Sequence, residues 1–340
     1  MRNLGYCNFA KTVLMLLVVL CHSAAFYGGN WFRVCTASET NEVLAILSSW
    51  LGTFHVEGFT LISGYIYYYI KYEKEGYQDF RKYIKNKFKR LLVPYIAISL
   101  FWIIPIGAFF YSYSLIDVIE DYALGESPSQ LWFLLMLFNV FVIYDYILTK
   151  IKCGQIVLVF ILFASGIVLG NVVPNIFQIM TSMRYLLFFY IGCMIRKKYS
   201  DMQSDKMLIF GIIFLFVNLV FFTLLNTDIF ENGIIGKVMS LLSRNLCDVS
   251  GAIMAFLLLS YLASKLRWDN KIFTNLTIVS FPIYLFHQQI IYVLLWNFQS
   301  FINSYVMCAL NFLLSILVSY YISLILMKHK FTRFLIGIKQ

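Results

Sequence analysis

Residues 8–32 read NFAKTVLMLLVVLCHSAAFYGGNWF, and this stretch decides the fold class. From Val13 to Cys21 it is continuously apolar, and runs long enough to cross a bilayer recur along all 340 residues. Hydrophobic residues make up 61% of the chain and charged residues 13%. A soluble domain is about half apolar and about a quarter charged, so the sequence predicts an all-α integral membrane protein. The unbroken runs exclude the alternating pattern of a membrane β-barrel.

Ten membrane spans are predicted, at residues 8–27, 43–70, 91–111, 131–149, 155–170, 182–196, 207–226, 241–263, 274–297 and 305–327. Most of the 27 Lys and Arg residues fall in loops that would share one side, and the opposite loops carry mainly Asp and Glu. The positive-inside rule therefore places both termini in the cytoplasm. This asymmetry explains the net charge of +10 without nucleic-acid binding.

The domain organisation is expected to be simple. Residues 1–340 are predicted to form one transmembrane domain, with no fused extracytoplasmic domain. The basic segment 71–90 is predicted to be an amphipathic cytoplasmic helix that lies along the membrane. The seven Cys residues are scattered singly and have no metal-ligand spacing, so neither a metal site nor a disulfide framework is expected.

Ionisable side chains inside spans are costly and are candidates for function. His22, His55, Glu57 and His287 lie at similar predicted depths on three different helices. Lys11 lies eleven residues before His22, which places the two on one helix face about 16 Å apart. A single buried histidine often only bridges helices, and a basic segment often only anchors anionic lipid. The convergence of several groups at one depth favours a functional site.

Several separated motifs carry a family resemblance. They read, in order, KTVLMLLVVLCH, FHVEGFTLISGYIYY, KFKRLLVPYI, QLWFLLMLF, YLLFFYIGCMI and SFPIYLFHQQII. This set resembles the acyltransferase-3 family of bacterial integral-membrane acyltransferases, which includes polysaccharide O-acetyltransferases. The chain departs from the family at Lys11, where Arg is usual, and at Asn8, where many members carry an acid.

The resemblance implies a reaction and a set of residues. Acyl-CoA, most commonly acetyl-CoA, would donate from the cytoplasm and would not be a resident cofactor. The acceptor would be a hydroxyl of a cell-surface or lipid-linked glycan, such as exopolysaccharide, capsule or lipopolysaccharide, at the bacterial cytoplasmic membrane. The expected catalytic residues are His22, Glu57 and His287. Donor-binding or supporting roles are expected for Lys11, Lys87, Arg90, Ser63 and Tyr284.

Roles within this set stay open at the level of sequence. His22 could act as general base for the acceptor hydroxyl or could carry the acyl group itself. The neighbouring Glu57 could orient the imidazole, and His287 or Ser63 could steady the carbonyl oxygen or the acceptor. The basic residues would hold the CoA phosphates.

Two other functions fit a multi-span basic protein. A non-enzymatic transporter or flippase of lipid-linked glycans is the main alternative, although the chain shows no pair of matching halves with broken helices. A glycan polymerase would need a large extracytoplasmic loop, and the predicted outer loops are short. Membrane lipids are expected partners, and both a homo-oligomer and a separate glycan-assembly partner remain open.

Overall fold

The computed structural model describes residues 2–29, 35–110, 114–151, 154–227, 229, 233–268 and 270–338. Within these ranges the chain consists of helices and connecting turns, without a strand. The all-α prediction is therefore confirmed.

The helices are numbered here in chain order. The first six are α1 (Arg2–Ala25), α2 (Glu42–Leu51), α3 (His55–Tyr68), α4 (Phe80–Phe110), α5 (Leu115–Val118) and α6 (Trp132–Tyr146). They are followed by α7 (Gln155–Leu169), α8 (Ile179–Tyr199), α9 (Ser204–Leu225), α10 (Gly233–Lys265), α11 (Lys271–Phe298), α12 (Ser304–Leu326) and α13 (Lys330–Leu335).

In the described part of the chain, eight helical segments are long and apolar enough to cross a membrane. They are Gly5–Gly28, Phe80–Phe110, Ser129–Lys150, Ile176–Tyr199, Ser204–Leu225, Gly233–Lys265, Lys271–Phe298 and Ser304–Leu326. Two expected spans differ from this pattern. Residues 155–170 form α7, which has only 15 residues, and residues 43–70 are divided by a break after Leu51. The count of ten spans and the cytoplasmic position of both termini stay predictions.

The basic segment 71–90 does not form one helix. A π-helical turn, Tyr69–Glu73, continues α3, and residues 74–79 then form a connection. The side chain of Asp79 accepts a hydrogen bond from the backbone N–H of Lys82 and so caps a new helix. That helix is α4, which runs on through further π-helical turns to Phe110. The basic residues of its first turns are therefore the end of a span rather than a separate helix.

The helix α1 lies at the centre of the bundle. It packs against α2, α3, α10, α11 and α12. We call the end of the bundle that holds the turns 74–79 and 199–203 the basic end. Two ion pairs that are at least partly buried join helices there. Lys71 forms an ion pair with Asp145 at 2.5 Å, and Arg196 forms one with Glu73 at 2.5 Å.

Two glycines allow α3 and α8 to approach closely. A Cβ atom at Gly64 would lie 2.0 Å from the carbonyl oxygen of Phe189, and one at Gly192 would lie 1.9 Å from that of Leu61. Small residues at such crossings are typical of membrane helices, where close backbone packing replaces the hydrophobic effect as the driving force. The Gly64 contact gives the sequence Ser63-Gly64-Tyr65, within the FHVEGFTLISGYIYY motif, a packing role.

Candidate active site

Three histidines from distant parts of the chain meet beside α1. Nδ1 of His22 lies 2.8 Å from Nε2 of His287, which is 265 residues away in sequence. Their rings are nearly parallel, with an angle of 11° and centroids 5.1 Å apart. The ring of His55 stands edge-on to His22, with centroids 6.4 Å apart. Both His55 and His287 are buried. The structure thus brings the predicted residues His22 and His287 into direct contact.

The hydrogen bonds assign the tautomers of the neutral rings. Nδ1 of His287 lies 2.8 Å from the carbonyl oxygen of Tyr284, which can only accept, so this nitrogen carries the proton. Nε2 of His287 is then an acceptor, and His22 must donate from Nδ1. The lone pair of His22 consequently lies on Nε2, as it does on a histidine that a hydrogen-bond acceptor orients for general-base chemistry.

The break between α2 and α3 positions His55. After Leu51 the chain leaves the helix and resumes at His55, whose Nδ1 donates to the carbonyl oxygen of Leu51 at 2.6 Å. The ring therefore spans the break that divides the predicted second span. A helix end inside the bilayer is tolerated where protein satisfies its polar groups, as this imidazole does.

Glu57 contacts different partners from the histidines. Its Oε1 accepts a hydrogen bond from the hydroxyl of Tyr185 at 2.6 Å. Its Oε2 is buried and has no hydrogen-bond partner among the described residues. Arg184 and Asp248 are close enough to interact with it electrostatically. Glu57 therefore belongs to a neighbouring polar cluster, and the contact at Nδ1 of His22 is made by His287.

The two hydroxyl-bearing site residues of the sequence prediction bond to backbone. Ser63 donates to the carbonyl oxygen of Phe59 in its own helix at 2.8 Å. The hydroxyl of Tyr284 donates to the carbonyl oxygen of Gln130, whose side chain donates to the carbonyl of Leu285 at 2.7 Å. Tyr284 therefore fixes α11 to the segment before α6, one helical turn from His287.

The predicted donor-binding cations lie at the basic end but differ in their surroundings. Arg90 is exposed, and it is close enough to Lys11 for the two charges to repel. Burial raises the pKa of Tyr77, and the nearby charge of Arg90 opposes that rise. Lys87 instead turns inward, and its Nζ lies 3.5 Å from the ring centroid of Phe141. Lys11 and Arg90 thus form a positive site, and Lys87 makes a cation–π contact.

Some polar groups in the spans were not among the sequence candidates. Asp145 is buried and accepts hydrogen bonds from Tyr67 and Lys71. Asp248 lies on α10 and interacts electrostatically with Glu57. Both fall inside predicted spans. The cost of burying a carboxylate in a membrane could therefore have identified them from the sequence. The hydroxyl of Tyr185 had no such signal. No group of three His, Cys, Asp or Glu suited to a metal occurs within the described ranges.

Comparison with known proteins gives one match. A family model described as an acyltransferase domain matches residues 4–328, almost the whole chain. The matched range contains His22, His55 and His287. No curated protein and no solved structure matches the chain.

Proposed function

The chain belongs to the acyltransferase-3 family and is a multi-pass membrane protein, and from this premise we propose the reaction that it catalyses. It transfers an acyl group, in the first instance acetyl, from acyl-CoA to a hydroxyl of a cell-surface or lipid-linked glycan. The proposed location is the bacterial cytoplasmic membrane, with the basic end in the cytoplasm. The family match favours this enzyme over a glycan transporter.

The contact between His22 and His287 is the observation that carries the proposal. The bond from Nδ1 of His22 to Nε2 of His287 leaves the basic lone pair of His22 on Nε2. It would also stabilise the imidazolium that forms when His22 takes up a proton. In this assignment His22 is the catalytic residue and His287 is a positioning residue.

The proposed chemistry is a single acyl transfer. Nε2 of His22 removes the proton of the acceptor hydroxyl, and the hydroxyl oxygen attacks the carbonyl carbon of the thioester. The C–S bond breaks, and the His22 imidazolium returns the proton to the departing thiolate of CoA. The products are the glycan ester and CoA, with no net uptake of protons. A route through an acyl-imidazole on His22 gives the same products and differs in its covalent intermediate.

The donor would enter from the basic end. Lys11 lies on α1 eleven residues before His22, so its position is about 16 Å along the helix from the imidazole. Among the described residues, neither Lys11 nor Arg90 forms a salt bridge with a carboxylate. The diphosphate of CoA would offset their mutual repulsion through charge-assisted hydrogen bonds. The acyl-pantetheine arm would then extend along α1 toward the histidines.

Replacement of His22 by Ala tests the catalytic assignment. The expected result is a loss of acetyl transfer from acetyl-CoA of about 10²–10⁴-fold, the usual contribution of a general base. His329→Ala is the matched control, because His329 is exposed near the last helix and should be dispensable. Both variants are compared in vesicles that contain equal amounts of inserted protein, with glycan ester formation as the readout.

Two outcomes would count against the proposal. Equal ester formation in His22→Ala and His329→Ala would show that His22 is not a catalytic residue. Failure of wild-type protein to transfer any acyl group from acyl-CoA would reject the donor. A radiolabelled acetyl-protein that is trapped during turnover of wild type, and absent in His22→Ala, would select the covalent route over direct transfer.

A further inference from the structure

A cavity at the basic end of α1 has no role in the chemistry above. Its volume is about 300 Å³, and it lies between α1, α3, α8, α9 and α10. We call it the α1 cavity and define it by Tyr6, Cys7, Tyr65, Tyr199, Phe256 and Ser260. None of the histidines of the site lines it. It opens at the end of the bundle where the cytoplasmic donor is proposed to enter.

One wall of the α1 cavity carries a buried hydroxyl group, that of Ser260. Ser260 is only 2% exposed, and its hydroxyl has no hydrogen-bond partner in the described part of the protein. Serines in membrane helices usually bond a carbonyl of the preceding turn, as Ser250 does with Leu246 at 2.6 Å. A buried hydroxyl without such a bond is a candidate to bind a ligand.

The rest of the lining combines aromatic, aliphatic and hydroxyl-bearing side chains, and it includes one acidic residue, Asp201, which is exposed. The rings of Tyr65 and Phe256 lie with centroids 5.0 Å apart, and Tyr6 and Tyr199 add two further rings. Three other serines, Ser200, Ser204 and Ser264, also line the space. A flat heteroaromatic ligand with polar edges matches this lining, because its faces can stack while its edges form hydrogen bonds.

Cations lie beside the same wall. Arg196 is buried and donates to the hydroxyl of Tyr65 at 2.9 Å. Both Arg196 and Lys11 are close enough to Cys7 to interact with it electrostatically. Cys7 and Lys11 are four residues apart, so they share a face of α1 about 6 Å apart along its axis. The α1 cavity is therefore next to the positive site formed by Lys11 and Arg90.

We propose that the α1 cavity binds the adenine nucleoside end of the acyl-CoA donor, an inference that rests on the proposed function. The base stacks on the aromatic rings of the lining, and the hydroxyl of Ser260 forms a hydrogen bond with one of its edge atoms. The phosphates lie at Lys11 and Arg90, one helical turn further along α1. The acyl-pantetheine arm continues on the same helix face toward His22. The order of groups along CoA thus matches the order of sites along α1.

Direct binding of adenosine bisphosphate, the nucleotide part of CoA, tests the cavity independently of catalysis. Wild-type protein in nanodiscs is expected to bind it in calorimetry, and Ser260→Phe should abolish binding by filling the space. Leu262→Phe is the matched control, since it adds the same ring to α10 at a partly exposed position. Absence of binding to wild type, or equal binding to both variants, would overturn the proposal.

A comparison of two donors tests the same site during turnover. S-acetylpantetheine carries the reactive thioester but lacks the nucleotide. In Ser260→Phe the KM for acetyl-CoA is expected to rise at least tenfold, while the KM for S-acetylpantetheine stays as in wild type. Equal changes in KM for both donors would show that the substitution at Ser260 acts through general structure and not through nucleotide binding. If wild type uses neither donor, the proposed function fails, and the binding measurement still decides whether the cavity takes a nucleotide.

Ser260→Ala provides a second test in case Ser260→Phe does not fold. The lost hydroxyl makes no hydrogen bond within the described structure, so its removal should leave thermal stability unchanged. Loss of one ligand hydrogen bond should weaken binding of adenosine bisphosphate about fivefold. Unchanged affinity in a stable Ser260→Ala protein would contradict the contact with Ser260.

Discussion

Replacement of His287 by Ala separates a positioning role from a purely structural one. The variant removes the acceptor that lies 2.8 Å from Nδ1 of His22. Leaving this partly buried N–H without that acceptor costs about 1–3 kcal/mol. Each 1.36 kcal/mol changes an equilibrium about tenfold, so the fraction of His22 in the productive tautomer and rotamer should fall about 5- to 150-fold. The expected result is a decrease of that size in kcat.

The split between kcat and KM is the informative readout. His287 contacts His22 and the Tyr284 carbonyl, not the proposed donor site, so the KM for acetyl-CoA should change little. The assay is acetyl transfer by protein reconstituted in vesicles, with inserted protein quantified by labelling. His287→Gln should recover part of kcat, because its amide oxygen can accept from Nδ1 of His22.

Two results would refute this reasoning. A kcat in His287→Ala equal to wild type would show that the histidine contact has no effect on turnover. A loss that His287→Gln does not relieve, together with a lowered unfolding temperature in both variants, would show that His287 acts only through stability.

Other predictions follow from contacts outside the histidine site. Arg90→Ala should raise the KM for acetyl-CoA about 5- to 10-fold by loss of a charge-assisted hydrogen bond. Lys87→Ala should leave that KM unchanged, because the ammonium of Lys87 lies over an aromatic ring. Asp145→Asn should lower the free energy of unfolding by about 3–5 kcal/mol, since it leaves a half-buried Lys71 ammonium uncompensated. Asp205→Asn removes an exposed ion pair and should cost less than about 1 kcal/mol in the same denaturation assay. Gly192→Ala should reduce thermal stability measurably, because a Cβ only 1.9 Å from a carbonyl oxygen forces α3 and α8 apart.

The candidate site was only partly predictable from sequence. The cost of burying an imidazole in lipid singles out His22, His55 and His287 without any structure. Helical periodicity predicts the face on which each lies, but it does not say which helices are neighbours. Depth alone therefore groups Glu57 with His22, although its carboxylate accepts a hydrogen bond from the hydroxyl of Tyr185 on α8.

The direction of long side chains was equally undetermined by sequence. Lys87 and Arg90 are three residues apart in one basic segment, and composition predicts the same role for both. In the structure Arg90 is exposed and Lys87 turns onto Phe141, because α6 supplies an aromatic face next to α4 at that point. Ser63 belongs to a family motif, which by itself suggests a role in the reaction. In the structure the neighbouring Gly64 allows the close approach of α8, so the motif has a packing role.

The sequence by itself determined that the protein is a helical membrane protein of the acyltransferase-3 family, because apolar run length and spaced motifs are local properties of the chain. It also placed Lys11 and His22 on one face of α1, since helix geometry alone dictates that relation. Only the tertiary structure decided that His287 is the partner of His22, that Glu57 serves another cluster, and that a cavity lies beside Cys7. These are relations between helices far apart in sequence, and they depend on which faces pack together rather than on any local pattern.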